Sequence, residues 1–224
     1  MNRYSVVPSL AGVIRGLSCL FWGLPLTLLL TAKTAVPDPF LPVNPLTGLL
    51  AHGLLLYGFH QLSHFQPQER IWAAARERAV SLALLQFGLF PFAYWWARRP
   101  DEPYFQRGFA LLLVAGFATL AATNLVLKRL AAMLPDETLR SETRFFVALN
   151  LRILFGVSLL GVGLILTRIG TPQPGPLWPL YQFFERIEPW QILLPGLLPL
   201  ALTMTLLWKT KEVVLTSLCR APSP

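Results

Sequence analysis

Charged side chains are scarce in this sequence of 224 residues: Asp, Glu, Lys and Arg together account for 13% of it. Soluble domains carry about 25% charged residues, so about half of the expected solvated surface is missing. Hydrophobic residues, in contrast, make up 54% of the chain. This composition excludes an ordinary soluble domain and predicts an integral membrane protein in which residues 1–224 form a single transmembrane domain.

Acidic residues are missing from every long apolar run of the sequence. A carboxylate relay for proton-coupled transport and a metal–carboxylate catalytic site inside the membrane therefore have no supporting residues. The sequence also has no G-x-S-x-G, P-loop or H-E-x-x-H motif. The only cysteines, Cys19 and Cys219, form neither a disulfide framework nor a C-x-x-C pair. These absences favour a non-catalytic protein.

The apolar residues form six runs of the length that a membrane-spanning helix needs, which is about 20 residues. The predicted spans are residues 10–32, 46–65, 79–97, 108–127, 145–167 and 190–208. We therefore predict an all-α fold, a polytopic integral membrane protein built as a six-helix transmembrane bundle. The connection 168–189 is rich in Pro and aromatic residues and is predicted to lie along the membrane interface, with a re-entrant loop as the alternative.

Basic residues outnumber acidic ones, 19 to 11, and their distribution predicts the orientation of the chain. With six spans, the side that holds both termini carries twelve Lys and Arg residues, and the opposite side carries six. Because cytoplasmic loops are enriched in Lys and Arg, both termini are predicted to be cytoplasmic. The use of Arg over Lys, 15 to 4, favours a bacterial inner membrane. The bases lie between apolar runs instead of along one stripe, so no nucleic-acid partner is predicted.

Arg152 lies about two turns inside the fifth predicted span and is the first candidate binding residue. An ionisable residue within a span indicates a functional site by default. Asn150 precedes it by two residues, and Asn124 falls at a similar depth on the preceding antiparallel span. The three side chains are predicted to bind an anionic headgroup or the carboxylate of a partner. The alternative is that Arg152 snorkels to the cytoplasmic interface.

All three histidines of the chain, His52, His60 and His64, fall on one face of the second predicted span. His60 and His64 are four residues apart, a spacing at which two histidines can bind one metal ion. No other span offers a histidine, so bis-histidine haem ligation within one chain is disfavoured. No cofactor is predicted, and metal or haem at His60 and His64 stays open as an alternative.

Proline and glycine suggest two further interpretations. Pro91 in the third span and Pro199 in the sixth resemble the paired interruptions of inverted-repeat transporters, although Pro is common in membrane helices generally. Gly12, Gly16 and Gly156 belong to faces of small residues in the first and fifth spans. Such faces let helices approach closely, either within one chain or between chains.

The sequence therefore predicts a non-catalytic integral membrane protein that serves as a subunit or scaffold of a membrane protein complex. Its expected partners are membrane lipids, together with other membrane subunits or further copies of itself. The first alternative is a small transporter or lipid-handling protein that uses Arg152 with Asn124 and Asn150. The second is a metal- or haem-associated membrane protein that uses His60 and His64.

Overall fold

The computed structural model describes residues 3–35, 45–66, 68–169, 178–179, 182, 186 and 189–219. Over these residues the fold is all-helical and contains six long helices. They are α1 (Arg3–Ala35), α2 (Pro45–Gln61), α3 (Arg70–Arg98), α4 (Pro103–Met133), α5 (Glu137–Ile169) and α6 (Pro189–Cys219). A short 3₁₀ turn, Leu62–His64, follows α2. Most of the connection 168–189, including any re-entrant course, lies outside the described residues.

Within the described residues, four segments are long and apolar enough to cross a membrane. They are Leu10–Thr34, Arg70–Arg98, Pro103–Met133 and Glu137–Gly161, on α1, α3, α4 and α5. These segments are consistent with an integral membrane protein. The predicted second span falls on α2, which has only 17 residues, and the predicted sixth span falls on α6.

The helices extend beyond the apolar runs that predict them. The third span is predicted from residue 79 with an amphipathic extension over residues 68–78, and α3 begins at Arg70, where the Glu69 side chain accepts a hydrogen bond from the backbone N–H of Trp72 at 2.9 Å. The fifth is predicted from residue 145, yet α5 begins at Glu137, where the Asp136 side chain accepts from the N–H of Leu139 at 2.9 Å. Hydropathy marks the membrane-embedded part of a helix, whereas the capping side chains mark where the helix begins.

The prolines within the helices do not break them: α3 continues through Pro91, and α6 continues through Pro195 and Pro199. Proline removes one backbone hydrogen bond, but packed membrane helices tolerate this when neighbouring groups pair with the freed carbonyl groups. The predicted interruption of the third and sixth spans is therefore not seen as a break in either helix.

The six helices form a closed ring in which each contacts the next along the chain and α6 contacts α1. Additional contacts join α1 to α3 and α4 to α6 across the ring. The apolar core includes Leu20, Leu127 and Leu207, which are all buried. This order places α4, α5 and α6 side by side.

The glycine face of α1, which includes Gly12 and Gly16, packs against α2 of the same chain. A Cβ atom at Gly16 would lie 2.8 Å from the carbonyl oxygen of Gly58, and one at Gly12 would lie 3.3 Å from the carbonyl oxygen of Gln61. At Gly16 the two backbones are too close for a larger residue, whereas at Gly12 a larger residue would require the neighbouring backbone to shift by a few tenths of an ångström. The face is therefore occupied by α2.

Candidate functional site

A buried polar network joins α4, α5 and α6 through Asn124, Asn150 and Thr203, one side chain from each helix. All three side chains are fully buried. Buried polar side chains need hydrogen-bond partners, because burial removes their hydration and an unpaired polar group is costly. The ring order of the helices brings these partners together from positions that are far apart in the sequence.

The amide nitrogen of Asn150 lies at the centre of the network. It donates to Asn124 Oδ1 at 3.0 Å, to Thr203 Oγ1 at 2.9 Å and to the carbonyl oxygen of Pro199 at 3.1 Å. An amide nitrogen carries two hydrogens, so the three acceptors share them. Because every neighbour of this atom is an acceptor, the nitrogen, and not the oxygen, of the Asn150 amide must point into the cluster.

Thr203 completes the network by accepting and donating at once. Its hydroxyl donates to the Pro199 carbonyl at 2.8 Å and accepts from the Asn124 amide nitrogen, also at 2.8 Å. The same nitrogen of Asn124 donates to the carbonyl oxygen of Leu120, at 2.9 Å. The Asn150 oxygen is buried and has no hydrogen-bond partner among the described residues. The remaining side-chain polar groups of the network are satisfied within the chain, so it links three helices internally.

The predicted binding residues separate into two places. Asn124 and Asn150 meet in the buried network, whereas Arg152 is exposed on the outer surface of α5. A step of two residues along an α-helix rotates the side chain by about 200°. Because Asn150 faces the core, Arg152 points away from it. The structure therefore does not bring Arg152 to the two asparagines.

The surface around Arg152 combines large and small apolar residues. Phe155 is 69% exposed and Ala148 is also exposed. Gly156 is exposed as well, and a Cβ atom there would meet nothing within 4 Å. Ala148, Arg152 and Gly156 are spaced four residues apart, which places them in one stripe along the helix. We call these three residues the Arg152 stripe.

His60 and His64 are neighbours on the surface at the end of α2. Their ring centroids are 5.8 Å apart and both side chains are exposed. Glu69, the nearest acidic residue along the chain, accepts the capping bond from Trp72. Among the described residues, no group of three or more His, Cys, Asp or Glu side chains is placed to hold a metal ion. The structure thus brings the predicted pair together without a third ligand of those types.

His52 lies apart from that pair, in the interior of the ring. Its Nδ1 atom is 2.8 Å from the Gly48 carbonyl oxygen, which fixes the proton on this nitrogen, and its ring lies against Phe90. The opposite nitrogen, Nε2, is buried and has no partner among the described residues. The hydrogen bond of His52 is therefore with its own helix, α2, while its ring packs against Phe90 of α3.

Two features of the interior had not been predicted from the sequence. Thr203 does not stand out in the sequence, because a single threonine in an apolar run is common. Its position one turn after Pro199 does indicate that its hydroxyl can hydrogen-bond to backbone groups near the proline. A cavity of about 90 Å³ lies between α1, α3, α4 and α6, lined in part by Thr31 and Gln86. The Thr31 hydroxyl and the Gln86 amide oxygen are buried there without a partner among the described residues.

Comparisons with models of protein families, with curated proteins and with solved structures gave no match to this chain.

Proposed function

We propose that this protein is a non-catalytic subunit or scaffold of a membrane protein complex, and that the Arg152 stripe on α5 contacts a partner helix. The observation that carries the proposal is the position of Arg152, which is exposed in the middle of a segment apolar enough to span a membrane. It makes no hydrogen bond or ion pair with another described residue. A charged group on a lipid-facing surface is costly unless it is paired.

The surroundings of Arg152 suit a helix better than they suit lipid alone. Ala148 and Gly156 leave space one turn below and one turn above the arginine, so the backbone of a partner could approach closely. A carboxylate on that partner would accept both N–H groups of the guanidinium edge. Arg144, the next arginine toward the start of α5, lies about 12 Å away along the axis, so Arg152 is well inside the apolar part of the helix.

We further propose six spans, with α2 and α6 completing the bundle, both termini in the cytoplasm and the bacterial inner membrane as the location. The excess of basic residues on the side of the termini supports this orientation. In this arrangement the Arg152 stripe lies in the cytoplasmic half of the bundle, because α5 starts from the cytoplasmic side.

Purification at native expression level in a mild detergent tests the subunit proposal. We expect a stoichiometric membrane partner with the unmodified protein, its loss with Arg152→Leu, and its partial retention with Arg152→Lys, which keeps the charge but not the planar fork. Arg144→Leu is the matched control, since it removes an exposed arginine from the same helix and should leave the partner bound. A lone protein that carries at most lipid would contradict the proposal.

The lipid-handling alternative, in its predicted form, needs Arg152 and the two asparagines in one site. The separation of Arg152 from the buried network does not favour that form. The metal or haem alternative rests on His60 and His64 alone, and elemental analysis together with a visible absorption spectrum of the purified protein tests it directly.

A further inference from the structure

A long trough runs along the outer surface of α4, between α3 and α5. Its first part is a groove of about 650 Å³ between α3 and α4, and its second part is a groove of about 340 Å³ between α4 and α5. Both grooves are lined by Ala118 and Ala121, so they meet on α4. We call the combined surface the α4 trough.

Small side chains on α4 make the trough. Ala118 and Ala121 are three residues apart, which places them on one face of the helix, and Leu125 follows one turn further on toward the arginines. Because alanine projects only one carbon, this face lies below the larger side chains of α3 and α5. The far part of the trough is bordered by Phe117 and Phe155 and is almost entirely apolar.

Three arginines lie at one end of the trough, which we call its mouth. Arg70 and Arg78 belong to α3 and Arg129 to α4, and all three line the groove and are exposed. None of them forms a hydrogen bond or an ion pair with another described residue, and no described Asp or Glu lines either groove. The mouth therefore carries three positive charges without an ion-pair partner among the described residues.

We propose that the α4 trough binds an anionic phospholipid, with its phosphate between the three arginines and one acyl chain along the alanines. Basic pockets between membrane helices at the headgroup level are suited to anionic headgroups, and arginine binds phosphate through paired hydrogen bonds. The trough has the length for a chain: Leu113 and Arg129 are separated by about 24 Å along the axis, more than the roughly 15 Å of one leaflet.

The site is distinct from the Arg152 stripe, because Ala148, Arg152 and Gly156 do not line either groove, although Phe155 borders both surfaces. A single lipid there would fill the recess over α4 between α3 and α5, and its headgroup would link α3 and α4 through the arginines. In the six-span orientation the mouth faces the cytoplasmic leaflet, where anionic lipids supply the complementary charge.

Lipid titration of the full-length protein in an uncharged detergent tests the proposal, with bound lipid measured by native mass spectrometry. The probes are phosphatidylglycerol and phosphatidylcholine with identical acyl chains, and we expect a clear preference for phosphatidylglycerol. Each arginine near a headgroup contributes about fivefold in affinity, so Arg78→Gln with Arg129→Gln should weaken phosphatidylglycerol binding by about 25-fold. Lys128→Gln with Arg144→Gln removes the same charge from exposed positions outside the trough and should leave binding unchanged.

Two further arms separate a lipid site from a simple anion site. Ala121→Leu fills the trough without changing its charge, and it should weaken the binding of both lipids. Glycerol phosphate, which has the headgroup charge but no acyl chain, should not compete. Equal affinity for the two lipids, equal losses in the two double variants, or full competition by glycerol phosphate would each overturn the proposal.

Discussion

Replacing Asn150 by leucine removes the centre of the buried network while keeping a side chain of similar size. The Asn150 amide has two hydrogens for three acceptors on α4 and α6. Hydrogen bonds between membrane helices average about 0.6 kcal/mol and reach about 1.7 kcal/mol. Two such bonds predict a loss of about 1–3 kcal/mol in the free energy of unfolding, measured by equilibrium unfolding in mixed detergent micelles.

A second variant tests the orientation of the amide. Asn150→Asp places a carboxylate oxygen against the Asn124 oxygen, the Thr203 hydroxyl and the Pro199 carbonyl, which already act as acceptors. It removes both donors and adds a buried charge, so we expect it to be more destabilising than Asn150→Leu. If the aspartate variant were the more stable of the two, the nitrogen would not face the three acceptors.

A double-mutant cycle isolates the contact with Thr203. In a Thr203→Val background, Asn150→Leu should cost less by about 0.6 kcal/mol or more, because one of its partners is already gone. Thr205→Val is the matched control: its hydroxyl is exposed and donates within α6 to Ala201 at 2.9 Å, so it should show no coupling to Asn150. Independent sites add within about 0.3–0.5 kcal/mol, and additivity of Asn150 and Thr203 within that range would refute the network as a source of stability.

Two further predictions concern helix packing and orientation. Gly16→Ala should destabilise the protein by about 1–3 kcal/mol in the same unfolding assay, since its Cβ would lie 2.8 Å from the Gly58 carbonyl oxygen. Gly53→Ala is the control and should be tolerated, because its Cβ would meet nothing within 4 Å. Equal effects of the two substitutions would contradict the close α1–α2 contact. In a cysteine-free background, a membrane-impermeant thiol reagent applied to intact cells should label Asp101→Cys but not Glu77→Cys. Both positions are exposed, with Glu77 in the first part of α3 and Asp101 in the turn that follows its end. The reverse pattern would invert the proposed topology.

Much of the helical architecture follows from hydropathy, and its boundaries follow from capping. Each of the six predicted spans overlaps a helix, and over the described residues four of these helices are long and apolar enough to cross a membrane. An apolar run of membrane length forms a helix because this satisfies its backbone groups. The start of α3 falls within the predicted extension over residues 68–78, at the capping residue Glu69, whereas α5 starts ahead of its apolar run, at the capping residue Asp136. Asp136 could have been recognised as an N-terminal cap from its residue type, although hydropathy gives it no weight.

The candidate site was harder to predict, because it depends on which helices are neighbours. The similar depth of Asn124 and Asn150 could be read from antiparallel pairing along the chain, and the two side chains do meet. Thr203 comes from α6, which contacts α5 as its neighbour along the chain and also contacts α4, so its place beside both asparagines depends on how three helices pack together. The outward direction of Arg152 follows from its offset of two residues from Asn150, once it is known that Asn150 faces the core.

The short α2 has a consequence for the bilayer itself. Its 17 residues extend about 26 Å, less than the roughly 30 Å of hydrocarbon, whereas α1 has 33 residues and α3 has 29. The 3₁₀ turn after it adds about 6 Å but carries Ser63 and His64, which are polar. In the six-span arrangement this edge of the protein is mismatched to the membrane, so neighbouring lipids must compress there. We expect the protein to collect in thinner regions of the bilayer, oriented so that α2 borders them.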